Sequence, residues 1–292
     1  MQVRRLARGT DDGFRSGLVP GVKSSADAER LAQELAFAAA RLTRLEDEPP
    51  GCYAEIAESA KADSVGSSAI AELPGPGGFG ATPTEDLEDR TWLAFLTAYL
   101  CPVDGDDPFV GIRAARTSWS SGAEPDLDGV PLGPRTAHDP ARGTRTLDAY
   151  RAWAARSGSQ AAAFSGDPAW SPERRFARAY ERLALPGLHR DARFDLLVTL
   201  GRLGVYELRA GSLQLGGANE PTVAAKRALG IGDTMLLERR AAELAAAAEL
   251  PLEALDLGFY NWGVGTRSTM GLEATAEPDG AVLDSVLAAL GL

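Results

Sequence analysis

Histidine, lysine and cysteine are nearly absent from these 292 residues. Two cysteines, Cys52 and Cys101, stand far apart and in no Cys-x-x-Cys pattern. The two histidines, His138 and His189, are likewise isolated. That is too few soft ligands for a structural zinc site or a cysteine-held iron–sulfur cluster, so no metal and no cofactor are expected. No apolar run reaches the roughly 18 residues of a membrane span, and no membrane association is expected. The opening "MQVRRLARGTDDGF" has arginines but no apolar core of the secretory type, which makes a cytoplasmic location the expectation. No P-loop occurs, and no serine or cysteine sits in a recognisable nucleophile motif.

Charge is plentiful but lopsided. Arginine outnumbers lysine 27 to 3, the lysines being Lys23, Lys61 and Lys226. The net charge of −11 argues against a general nucleic-acid-coating protein. Its distribution is uneven. Residues 1–134 carry 12 basic and 22 acidic side chains, residues 135–245 carry 17 and 12, and residues 246–292 carry 1 and 7. A basic middle between acidic flanks fits a phosphate backbone, or arginine-rich amphipathic helices with no ligand.

The apolar pattern is helical almost throughout. Leu31, Leu35, Ala38, Leu42 and Leu45 recur at spacings of three and four, predicting a helix over 26–46. "TWLAFLTAYLCP" predicts a buried central helix stopped by Pro102. "PGPGGFGATP" at 74–83 reads as a loop. Residues 102–144 are rich in Asp, Gly and Pro and predict a long connection with about one helical turn near 109–116. Helices resume at 145–158, 171–185 and 190–204, the second opened by Ser171-Pro172-Glu173. Weak alternation over 205–216 allows one small β-hairpin. The chain therefore reads as all-α, a single two-lobed domain. Acidic helices fill 1–101, a long loop fills 102–144, and a basic helical lobe with an acidic tail fills 145–292.

Chemistry-bearing residues concentrate in that lobe. In "VAAKRALGIGDTMLLERR" one helical run stops at Gly230-Ile231-Gly232 and another opens at Asp233. Such a corner is either a plain helix cap or a phosphate-binding turn whose freed N–H groups face a ligand. Lys226 precedes it and Asp256 follows in "PLEALDLGFYNWG". A glycine–hydrophobic–glycine turn, a helix and then an Asp at the next helix start resemble the helix-hairpin-helix DNA glycosylase superfamily. Residues 135–263 are similar in style to its 8-oxoguanine glycosylase-like and thymine pyrophosphorylase-like bacterial branches. Leu229 stands where that family usually has proline.

The resemblance implies a two-lobed helical glycosylase fold, DNA as partner, and action on or recognition of a modified or damaged base. It implies Asp256 as the catalytic carboxylate, with Glu238 as the alternative register and Lys226 as a candidate nucleophile. A carboxylate there would stabilise an oxocarbenium-like sugar. Gly230, Ile231 and Gly232 would bind phosphate, with Arg142, Arg145 and Arg239 as further DNA contacts. Trp262, Tyr260 and Gln160 would line a base pocket, with Trp153, Phe164 and Trp170 as other stacking candidates. His138 and Asp139 read as an acid–base pair or as turn residues. Two other readings stay open. One is a non-catalytic helical module that binds a protein partner through its acidic N-terminal half. The other is an enzyme that grips a small anionic metabolite with Arg135, Arg142 and Arg145.

Overall fold

A computed structural model of the chain describes residues 9–65, 83–272 and 278–292. The expected loop at 74–83 lies outside them except for its last residue, Pro83, which opens a helix. Twelve α-helices and no strand occur among the described residues, so the fold is all-α. They are α1 (Ser25–Asp47), α2 (Cys52–Val65), α3 (Pro83–Leu100), α4 (Val110–Ala114), α5 (Arg145–Arg156), α6 (Gln160–Ser165), α7 (Pro172–Arg182), α8 (Arg190–Arg202), α9 (Glu220–Leu229), α10 (Thr234–Ala247), α11 (Ala254–Val264) and α12 (Gly280–Leu290). None of them is long and apolar enough to cross a membrane.

The chain divides into two compact units. The first comprises Met1–Arg44, Asp104–Asp106 and Ala210–Leu292, and the second Leu45–Val103 and Asp107–Arg209.

The second unit is built on α3. Every residue from Thr91 to Leu100 is buried, as the apolar run predicts. Large side chains of this kind contribute roughly 1.5–3 kcal/mol each when fully buried. Trp92, Phe95, Tyr150, Trp153, Phe164 and Tyr206 form one chain of ring contacts, with Phe95 and Tyr150 stacked at 3.8 Å. Trp153 and Phe164, candidates for stacking a base, are therefore core residues. The long 102–144 connection is fastened by backbone bonds, among them Gly133 N–H to the Leu100 carbonyl at 3.1 Å and Ala137 N–H to the Tyr99 carbonyl at 2.9 Å. The Arg151 guanidinium lies over Trp92 at 4.8 Å and Trp119 at 4.6 Å and donates to the Trp119 and Ala123 carbonyls. Ser171 caps α7 through the Arg174 N–H, with Pro172 in the first turn.

In the first unit α11 packs on α1 and α9 at positions without side chains. A methyl at Gly258 would sit 2.6 Å from Leu35, and one at Gly263 would sit 2.7 Å from Ala224.

The expected hairpin over 205–216 does not form. Its N–H groups go elsewhere. Within the second unit, Arg209 donates to the Pro172 carbonyl. Within the first, Ala210 donates to the Glu253 carboxylate, Leu213 and Leu215 to the Glu238 carboxylate, and Gly216 to the Thr222 hydroxyl. Side-chain acceptors satisfy the donors that a β ladder would have used.

Candidate functional site

The α9–α10 corner, in the region that the sequence singles out, is exposed from Gly232 to Leu236. Asn219 caps α9 at its start, accepting from Thr222 N–H, and Pro221 sits in the first turn. Gly230 ends α9 in the left-handed region at φ +67°, where its N–H bonds the Lys226 carbonyl. That conformation is why glycine ends the helix here. Asp233 then caps α10 through the Leu236 N–H at 2.9 Å. Between these two caps, the N–H groups of Ile231, Gly232, Asp233, Thr234 and Met235 have no protein partner among the described residues. Gly232, Thr234, Met235 and Leu236 are exposed, Met235 at 82%. Free donors at a helix start, backed by the helix dipole, suit an anion.

One face of the corner is covered by the chain's own N-terminal segment. Gly21 N–H donates to the Ala228 carbonyl at 2.9 Å, and Pro20 lies beside Gly230. The sequence carries no sign of this contact, because it joins residues some two hundred positions apart.

Asp256 is 1% exposed and lies in the first turn of α11, not at its capping position, which is Glu253. An acid there is favoured by the helix dipole. Lys226, half-buried in the last turn of α9, makes no ion pair among the described residues.

Several other candidates are committed to the fold. Both oxygens of Glu238 hold the 213–215 backbone, so this carboxylate is a structural clamp. Gln160 is fully buried: its amide oxygen accepts from Tyr150 at 2.7 Å, and its amide nitrogen donates to the Glu88 carbonyl and carboxylate. It has no exposed edge for a base. Trp262 is buried under the Arg227 guanidinium at 3.7 Å, and its indole N–H donates to the Asp27 carbonyl, which closes it to stacking. Tyr260 is buried on the same helix.

The three arginines of the metabolite reading do not converge. Arg135 forms a buried two-pronged pair with Asp195, at 2.9 and 3.0 Å, which neutralises it within the core. Arg142 pairs with Asp139, and Arg145 is exposed. Arg239 is exposed and pairs with Glu243. Nor do His138 and Asp139 act as a pair. The Asp139 carboxylate caps the short Pro140–Arg142 turn, while His138 Nδ1 shares a 3.0 Å hydrogen bond with the Tyr99 hydroxyl. Burial holds the imidazole below its usual pKa, so it is neutral at pH 7. Cys52 and Cys101 are buried and form no disulfide among the described residues, and burial pushes the Cys52 thiol up to about 11, which makes it a poor nucleophile.

Residues 136–262 match the family described as Alpha-glutamyl/putrescinyl thymine pyrophosphorylase clade 3. By that description it is a thymine-modification family. The matched segment begins two residues before His138, contains the whole α9–α10 corner and Asp256, and ends at Trp262. No curated protein and no solved structure matches the chain.

Sequence reasoning missed two clamps, one within each unit. Glu88 receives the backbone N–H groups of Gln160 and Ala161, and Glu34 receives Arg267 and Asn261. Their partners lie far away in sequence, and an isolated acid on a helix gives no sign of what it will meet.

Proposed function

We propose that this protein acts on a substituted thymine carried by nucleic acid, exchanging the thymine substituent for pyrophosphate. The observation that carries the reading is the match over 136–262, because that one segment holds both the donor-rich corner and the buried Asp256. In this reading the N–H groups of Ile231, Gly232, Thr234 and Met235 bind a phosphate group of the nucleic acid or of pyrophosphate. Lys226 adds positive charge from the end of α9. Asp256 is the carboxylate that faces the reacting centre, where it stabilises developing positive charge or accepts a proton. Glu238, Gln160 and Trp262 serve the fold in this reading, through the hydrogen bonds of their polar groups.

Cleavage of an N-glycosidic bond is the second reading, favoured by a buried carboxylate at a helix start downstream of the corner. Release of free base separates it from pyrophosphate exchange.

A binding titration tests the shared part. Oligonucleotides with thymine or with putrescinyl thymine at one position are titrated at two salt concentrations. The substituted strand is expected to bind more tightly, and both are expected to weaken as salt rises. Equal affinities, or no binding at low salt, would contradict the reading.

A further inference from the structure

The second unit carries a basic ridge along α7. Helix α7 buries Phe176, Ala179 and Tyr180 on one face. Its outer face presents Arg174, Arg178 and Arg182, all exposed and four residues apart. At 1.5 Å of rise per residue the three guanidinium groups leave the helix at steps of roughly 6 Å. That spacing is comparable to the separation of successive phosphates along an extended strand.

Arg174 and Arg182 have no carboxylate partner among the described residues. Arg178 pairs with Glu181 at 3.0 Å, with both side chains at least half exposed, a contact that exchanges readily in water. Of the other acids nearby, Glu173 faces Arg209 at 3.7 Å, Glu207 pairs with Arg175, and Asp139 pairs with Arg142 at 3.1 Å through side chains that are both about half exposed.

Two features extend the ridge. At its start stands Trp170, a half-buried indole with the Arg174 guanidinium 5.3 Å from its ring centre. Beyond its end, the α7–α8 turn lies against Arg142 and the start of α5, where Arg145 is exposed. A methyl at Gly187 would lie 3.5 Å from Arg142 Cδ, and the Thr146 hydroxyl, next to Arg145, donates to the Pro186 carbonyl.

We propose that this ridge is a track for single-stranded nucleic acid. Arg174, Arg178, Arg182, Arg142 and Arg145 follow the phosphates, and Trp170 stacks on an unpaired base. A basic row with a stackable ring at one end is the chemistry of strand binding without sequence readout. The proposal rests on the nucleic-acid part of the function proposed above and adds which form of substrate is held and where.

The test compares the full chain with a triple variant, Arg174→Gln, Arg178→Gln and Arg182→Gln, and with Trp170→Ala. The probe is a mixed-sequence single-stranded DNA oligonucleotide, with and without one putrescinyl thymine. Three lost phosphate contacts should make the salt dependence shallower by about 2 logarithmic units per decade of salt. Trp170→Ala should weaken binding about tenfold with the salt slope unchanged. Melting temperatures should stay near that of the unmodified chain, since the replaced arginines are exposed. A triple variant with the original slope overturns the ridge, and so does an unmodified chain that ignores the single strand. Equal binding of polyglutamate marks a general polyanion patch and also overturns it. The two proposals fail separately. If the ridge variants bind both strands less well while the unmodified chain ignores the thymine substituent, the track stands and the thymine reading falls. If the substituent is preferred and the ridge variants change nothing, the thymine reading stands alone.

Discussion

Gly21 donates its backbone N–H to the Ala228 carbonyl at 2.9 Å, which ties the N-terminal segment to the end of the helix that enters the candidate corner. The approach leaves no room for a side chain. A Cβ at position 21 would lie 1.8 Å from the Arg227 carbonyl oxygen. Gly21→Ala should therefore destabilise the protein by about 2–3 kcal/mol, as overpacking against backbone does. Urea denaturation monitored by circular dichroism measures this. A change within 0.5 kcal/mol, about what a surface substitution gives, would show that the segment does not seat as described.

Glu238 holds the segment where a hairpin was expected. Its carboxylate accepts the N–H groups of Leu213 and Leu215. Glu238→Ala leaves both donors without that partner and should cost about 2–4 kcal/mol, since hydrogen bonds to a charged group run at roughly 1.5–3 kcal/mol each. Glu238→Gln, which keeps one acceptor oxygen, should cost less. Equal losses for the two variants would contradict the clamp.

How much of this was legible in the sequence divides along physical lines. Helices α1, α3, α5, α7 and α8 lie close to their expected positions, because periodic burial and local capping set them. Ser171-Pro172 is a clear case, since a cap and a proline act within one turn of themselves. The hairpin over 205–216 was illegible because Glu253, Glu238 and Thr222 take its donors from other helices. The same blindness affects the site. Spacing identifies the Gly230–Asp233 corner and its caps. It does not reveal that Gln160 and Trp262 spend their polar groups inside the fold, or that Arg135 is neutralised by Asp195 sixty residues away.

Acid should act through His138. Burial lowers its pKa below the ordinary 6.5, so the unfolded chain binds the proton more readily than the folded one. The stability that His138 contributes is fully present above that ordinary value and declines as pH falls through about 6.5 toward the lowered folded value. His138→Gln removes the titration. The melting-temperature difference between the unmodified chain and this variant should therefore shift against the unmodified chain between pH 8 and pH 5. A difference that does not vary with pH would contradict a buried neutral imidazole.

Asp256→Asn tests the proposed carboxylate. The replacement has nearly the same shape and sits in the first turn of α11. Under the proposed function, turnover should fall by about 100-fold or more while oligonucleotide affinity stays within a few-fold, as for loss of a group that acts on the transition state. Circular dichroism would check that the fold is retained. Unchanged turnover would move the chemistry away from Asp256.

The most direct measurement is mass spectrometry of an oligonucleotide that carries one putrescinyl thymine, incubated with the protein and pyrophosphate. The proposed function predicts a new oligonucleotide species in which a C–O bond to pyrophosphate has replaced the C–N bond to the putrescinyl group, with free putrescine released, formed only when both protein and pyrophosphate are present. An oligonucleotide of unchanged mass under conditions where it is bound would contradict it.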